Sequence, residues 1–123
     1  MKSNNVIVEK SHAFALRIVK LYKYLIEEKR EYVLSKQIVR SGTSIGANVE
    51  EAVGGYSEKE FLSKIIIAYK EARETQYWLR LMRDSEFLDV ELANSLIKDV
   101  DELLRILGSI SLTMKQKLKA SSQ

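Results

Sequence analysis

Glu9-Lys-Ser-His12 sets a carboxylate and an imidazole three residues apart, the spacing that presents two metal ligands in di-iron helical bundles. Such a centre needs a second pair of this kind and two further glutamates. His12 is the only histidine in the chain, so no metal is expected. Nucleophilic chemistry has no firmer footing. There is no cysteine, and the many serines have a single imidazole available as a base. Neither Gly-x-Gly-x-x-Gly nor a phosphate-binding loop occurs, and Gly42 and Gly46 fall inside a helical pattern rather than in a strand-to-helix turn. The neighbouring carboxylates Glu50/Glu51 and Asp101/Glu102 point in different directions on a helix. No catalytic residue and no cofactor are assigned, and enzymatic activity is not expected.

Basic side chains are the remaining chemistry. Arg73, Gln76, Arg80 and Arg83 run down one line of a helix, and Lys10, Arg17 and Lys20 share a line on another. Tyr22, Tyr24 and Tyr77 lie near these stretches and can stack on bases where exposed. The candidate nucleic-acid contacts are therefore Lys10, Arg17, Lys20, Arg73, Arg80 and Arg83. The bland reading is that each line is a solvated face.

A third constellation is polar. Gln37, Arg40, Ser44, Asn48 and Glu51 recur at steps of three and four, so they line one side of a helix. Counted antiparallel around Tyr56, Arg40 lies level with about residue 72, between Glu71 and Glu74. The same counting sets Asn48 near Lys64 and Glu51 near Phe61. Arg40, Ser44, Asn48, Glu51, Glu71 and Glu74 thus read as a buried network that sets helix register or joins subunits; the competing reading is a binding site. Were the Arg40 pair truly buried, losing the arginine would cost on the order of 3–5 kcal/mol.

These groups need helices to position them. Phe14, Ile18, Leu21 and Leu25 step by four, three and four. Phe61, Ile65, Ala68, Ala72, Thr75, Leu79 and Met82 keep that rhythm, as do Leu96, Val100, Leu103, Leu107, Ile110 and Met114. The second segment carries Leu34, Ile38, Ile45, Val49 and Ala52, thinned by Ser41, Gly42, Gly46 and Ala47. Two glycines inside a helix cost about 1 kcal/mol each, which close approach of another backbone would offset. The off-seam residues Leu62, Ile66, Ile67, Tyr69, Trp78 and Leu81 give the third helix more than one neighbour, so Trp78 and Leu81 are expected to serve both core and subunit contact.

Boundaries follow from the punctuation. Lys29-Arg-Glu31 makes a turn, Gly54-Gly55 a stop, Ser57 with Glu60 a capping box, and Asp89 an N-cap. One domain, 1–123, is expected, with helices at about 5–28, 32–54, 58–83 and 89–116 and frayed sequence beyond about Lys117. Short turns make neighbours antiparallel, and the fold class is an all-α, up-down-up-down four-helix bundle.

Composition agrees. The 123 residues include no proline, five glycines and 30% charged side chains. The longest apolar run, Ile65 to Tyr69, is far too short to cross a bilayer, and no export signal is read at the N-terminus. With no cysteine, a cytoplasmic location is expected. The net charge of +3 conceals segregation: residues 84–114 hold seven carboxylates against Lys98 and Arg105, while residues 1–34 hold seven basic and four acidic side chains. A basic and an acidic side are expected.

The runs Gln37-Ile-Val-Arg40, Ser41-Gly-Thr-Ser-Ile45 and Asn48-Val-Glu-Glu51, followed by Ser57, Glu60-Phe61, Ile67-Ala68, Glu71-Ala72 and Glu74, resemble the signature of the four-helix-bundle proteins encoded within ribosomal-RNA intervening sequences. The resemblance extends over nearly the whole chain and includes Lys10-Ser11 and Phe14-Ala15. It implies a homopentameric ring. Through a related branch, the accessory variability protein of diversity-generating retroelements, it also implies nucleic acid and a reverse transcriptase as partners. The expected function is therefore a non-catalytic homopentamer that binds RNA or DNA through basic helix faces. The alternative is a scaffold for a nucleic-acid enzyme such as a reverse transcriptase, without nucleic-acid affinity of its own.

Overall fold

The apolar steps of three and four do wind the chain into helices. A computed structural model describes residues 2–121, as α1 (Lys2–Glu27), α2 (Leu34–Val53), α3 (Glu58–Asp84) and α4 (Val90–Ser121). Each helix packs on its two neighbours in the cycle α1–α2–α3–α4, and the diagonal pairs do not approach. Cross-helix partners run in opposite directions: Arg40 meets Glu71 while Glu51 meets Lys64, and Lys10 meets Glu102 while Arg17 meets Asp99. The bundle is antiparallel throughout. The seams lie inside, with Ile18, Leu25, Ile38, Ile45, Ile65, Leu79, Leu103 and Leu107 fully buried. Each such side chain contributes about 1.5–3 kcal/mol relative to exposure.

The two helical glycines of α2 face α1. A Cβ on Gly42 would lie 2.8 Å from Cγ2 of Ile18, closer than packed carbons come, whereas one on Gly46 would rest 3.5 Å from the Ser11 carbonyl. Gly46 therefore marks the backbone approach anticipated above, while Gly42 yields its space to a side chain. Facing α3, the buried hydroxyls of Ser41 and Thr75 bond at 2.9 Å, which satisfies both within the α2–α3 seam.

Helix ends are settled by particular side chains. Val33 at the start of α2 has no group with which to cap it. Glu31 does so instead, accepting from the backbone N–H groups of Val33, Leu34 and Ser35 at 3.1, 3.0 and 2.7 Å. The Ser35 hydroxyl, fully buried, donates back to the Glu31 carbonyl at 2.7 Å. Burial pushes the Glu31 carboxyl upward, but the donors from Leu34, Ser35 and Val33 and the Ser35 hydroxyl outweigh it and hold the group below its ordinary range. At α3, Ser57 accepts from the Glu60 N–H at 3.1 Å as the capping box requires. Its reciprocal half is displaced, since Glu60 accepts from Tyr56 N–H at 3.4 Å rather than from Ser57. The C-terminus of α3 closes with Glu86 at φ 67°, while Phe87 N–H donates to the Met82 carbonyl at 2.9 Å and Glu86 N–H to that of Arg83 at 3.1 Å.

Asp89 stands at the N-cap position of α4, as expected, and its backbone carbonyl accepts from Ala93 N–H at 2.9 Å, while its carboxylate makes no hydrogen bond with a described residue. One expectation at the other end of the helix is corrected. The residues beyond Lys117 are helical as far as Ser121, because Lys117 reaches back to Glu58 in the first turn of α3 at 3.0 Å and ties the end down.

Candidate nucleic-acid interface

Two of the three cations on the basic line of α1 are paired. Lys10 pairs with Glu102 of α4 at 3.2 Å, and Arg17 binds Asp99 at 2.6 Å and donates to Ser95 at 3.1 Å. The acidic stretch of α4 thus neutralises α1 across the seam between them, so the charges that segregate along the sequence meet in the fold. This corrects the expectation of separate basic and acidic sides. Lys20 remains exposed and forms no ion pair with a described residue. It borders a shallow furrow of about 290 Å³ with Arg17, Leu21, Tyr24, Leu92 and Leu96.

The line on α3 divides. Arg83 is held by Asp84 and by Asn94, each at 2.9 Å, and Gln76 donates to Asp101 of α4. Arg73 and Arg80 have no carboxylate partner among the described residues. Arg80 lies 5.9 Å from the centre of the Tyr77 ring, which is itself 49% exposed. Of the stacking candidates, Tyr24 and Tyr77 are exposed and Tyr22 is half-buried.

Arg73 opens onto a groove between α3 and α4 that the reading of single residues missed. Ile66, Tyr69, Lys70 and Arg73 form one side, and Gly108, Ser111, Leu112 and Lys115 the other, enclosing about 450 Å³. The signal was present as two runs at helical spacing, 66–69–73 and 108–111–115, but neither means anything until α3 and α4 are paired antiparallel.

The polar network forms, with its geometry changed. Arg40 bonds Glu71 at 3.1 Å and also reaches Glu74, whose second partner is the Trp78 indole N–H at 3.0 Å. That indole N–H does most to hold the Glu74 carboxyl below its ordinary range; burial opposes it and Arg40 adds to it. The hydrogen bond from Arg40 to Glu74 is the main reason the guanidinium is held above its usual value. The cluster is not sealed, however: the Arg40 side chain is 49% exposed and that of Glu71 19%. It sits on the outer rim of the α2–α3 seam, because Ser41 and Thr75 occupy the inner positions. The rest of the stripe turns onto its own helix. Ser44 donates to the Arg40 carbonyl at 2.6 Å and Asn48 to that of Ser44 at 2.8 Å. Lys64 pairs with Glu51 at 3.7 Å, one turn away from the expected register with Asn48. Partly exposed ion pairs contribute little, so Arg40→Ala is expected to cost about 1 kcal/mol in urea denaturation rather than the loss anticipated for a buried pair. Trp78 and Leu81 are half-buried, and Trp78 packs on the core of the bundle.

Among the described residues no three His, Asp or Glu side chains gather where they would hold a metal, and His12 is exposed. Among the described residues no helix is long and apolar enough to cross a membrane.

Comparison with known proteins adds the following. No curated protein matches the chain. A crystal structure of a protein of unknown function, from the S23 ribosomal protein family of Bacteroides thetaiotaomicron VPI-5482, is similar at 49% identity and a TM-score of 0.87, covering 89% of this chain and 97% of that one. The family description of the 23S rRNA-intervening sequence protein matches residues 3–109. With nearly the whole bundle inside that match, the chain belongs to the 23S rRNA-intervening sequence protein family.

Proposed function

We propose that the protein acts without catalysis, as a homopentameric bundle that binds RNA or DNA through the basic face of α3 and its border with α4. One contrast carries this reading. Lys10 and Arg17 of α1 are answered by carboxylates of α4, whereas Lys70, Arg73, Arg80 and Lys115 face solvent with no ionic partner among the described residues. Such cations gain most from phosphate, because binding releases condensed counterions without breaking an internal pair. Multiplying the patch by symmetry turns a few weak contacts into an appreciable field.

Titration of the pure protein with duplex and single-stranded nucleic acid across a series of salt concentrations tests this. Affinity should fall steeply with salt and vary little with sequence. Absence of binding at every salt concentration would remove the proposal and leave the alternative, a scaffold for a nucleic-acid enzyme.

For assembly, an exposed apolar residue one turn before Glu71 is informative. Ile67 is off the core seam and 38% exposed. Ile67→Lys places a cation one turn before Glu71, a favourable local pair within the subunit. It is therefore expected to lower the native mass while leaving helicity unchanged. A wild-type protein that is monomeric by native mass spectrometry would end the pentamer proposal.

A further inference from the structure

The α3–α4 groove combines features that no internal role explains. Lys70, Arg73 and Lys115 rim it without a carboxylate among the described residues to neutralise them. Its walls are the Tyr69 ring, Ile66 and Leu112, and Leu112 is 60% exposed. Gly108 forms the floor. A Cβ there would meet Tyr69 Cε2 at 3.5 Å, an ordinary contact, so packing does not demand glycine at this helical position. What glycine does is leave the floor bare. Ser111, which also lines the groove, is only 8% exposed, and its hydroxyl makes no hydrogen bond with a described residue. The other buried helical hydroxyls among the described residues are bonded: Ser11 to the Val8 carbonyl, Ser35 to that of Glu31, Thr75 to that of Glu71, and Ser41 and Thr75 to each other. A buried hydroxyl left unpaired costs stability unless something binds it.

We propose that this groove takes one unpaired nucleotide of a single-stranded nucleic acid. The phosphate lies among Lys70, Arg73 and Lys115, the base rests against Tyr69 between Ile66 and Leu112, and Ser111 hydrogen-bonds the nucleotide. The volume of about 450 Å³ suits one such unit, inside the roughly 300–1,000 Å³ usual for small-ligand sites. A duplex can offer this groove only its phosphates, because its bases are stacked away; a single strand offers both parts. An acidic helical peptide would meet the cations, but its carboxylates bring no flat group to the tyrosine, whereas every nucleotide carries a base beside its phosphate.

The inference rests on the nucleic-acid reading above, and the experiment separates the two. Fluorescence anisotropy would compare a short labelled oligouridylate with a blunt RNA hairpin closed by a non-nucleotide linker, which has no unpaired base, at low salt. The proteins would be the wild type, Gly108→Leu, which fills the floor, and Leu112→Glu, which sets a carboxylate in the exposed wall. The wild type should bind the single strand more tightly than the hairpin. Both variants should weaken single-strand binding about tenfold, the scale of one base–aromatic stack, and Gly108→Leu should leave hairpin binding unchanged. Leu112→Glu keeps the test decisive if Gly108→Leu folds poorly, since that side chain already faces solvent. Hairpin binding that persists while both variants hold the single strand like the wild type overturns the groove alone. No binding of either RNA overturns the groove and the broader reading together. A groove that binds an acidic helical peptide not displaced by oligouridylate also overturns it, and assigns the site to a protein partner.

Discussion

Gly42→Val is expected to destabilise the bundle by about 3 kcal/mol, more than any surface substitution. Its Cβ alone would lie 2.8 and 2.9 Å from the two γ carbons of Ile18, and the valine methyls would add to the crowding. Ile18 is wholly buried. Overpacking of this kind costs about 1–3 kcal/mol, and valine adds strain because its branch is stiff in a helix. The gain in helix propensity over glycine recovers only part of this. A double-mutant cycle identifies the cause. Ile18→Ala alone should cost about 2–5 kcal/mol through the cavity it leaves. Combined with Gly42→Val, it should cost less than the separate losses together, by about 1–2 kcal/mol, because the valine refills that cavity. Strict additivity in chemical denaturation would place the damage somewhere other than this contact.

Removal of the Glu31 carboxylate should have the next largest effect. Glu31→Ala strips three backbone N–H groups at the start of α2 of their acceptor, and the side chain is buried to 9% exposure. Charge-assisted bonds of this kind at a helix N-terminus are together worth about 2–3 kcal/mol. The effect carries a pH signature. The folded carboxyl titrates below its ordinary value, so its contribution is complete above the unfolded pKa, near 4.3, and is lost as pH falls through the lower folded value. Measured by urea denaturation, the gap between wild type and Glu31→Ala should be wide at pH 7 and should narrow steadily in acid below about pH 4. A gap that stays constant across that range would mean the charge at residue 31 contributes nothing. Glu74 is shifted in the same direction and adds to acid lability, but its half-exposed setting makes it the smaller contributor.

Chain order and side-chain rhythm were enough to determine the helices and their buried faces. Phe14, Ile18, Leu21 and Leu25 are buried as their spacing requires, and so are Ile65 to Met82 and Leu96 to Met114 at their seam positions. Apolar periodicity is a local property, and short turns leave antiparallel packing as the available arrangement. The pairing of Arg40 with Glu71 and Glu74 was legible for the same reason, since two helices joined by a short loop have a countable register.

Depth and long-range partnership were decided only by the tertiary structure. Counting along α2 and α3 cannot say that Ser41 and Thr75 take the inside of the seam and leave Arg40 on its rim. Nor can it say that Gly42 faces Ile18, because that depends on how α1 crosses α2. The basic line of α1 looked free only because its partners, Glu102 and Asp99, lie more than eighty residues away in the chain. Charge is a long-range quantity that folding redistributes, so the surviving positive face is defined only once the first and last helices have met, and the groove beside it only once α3 and α4 have paired.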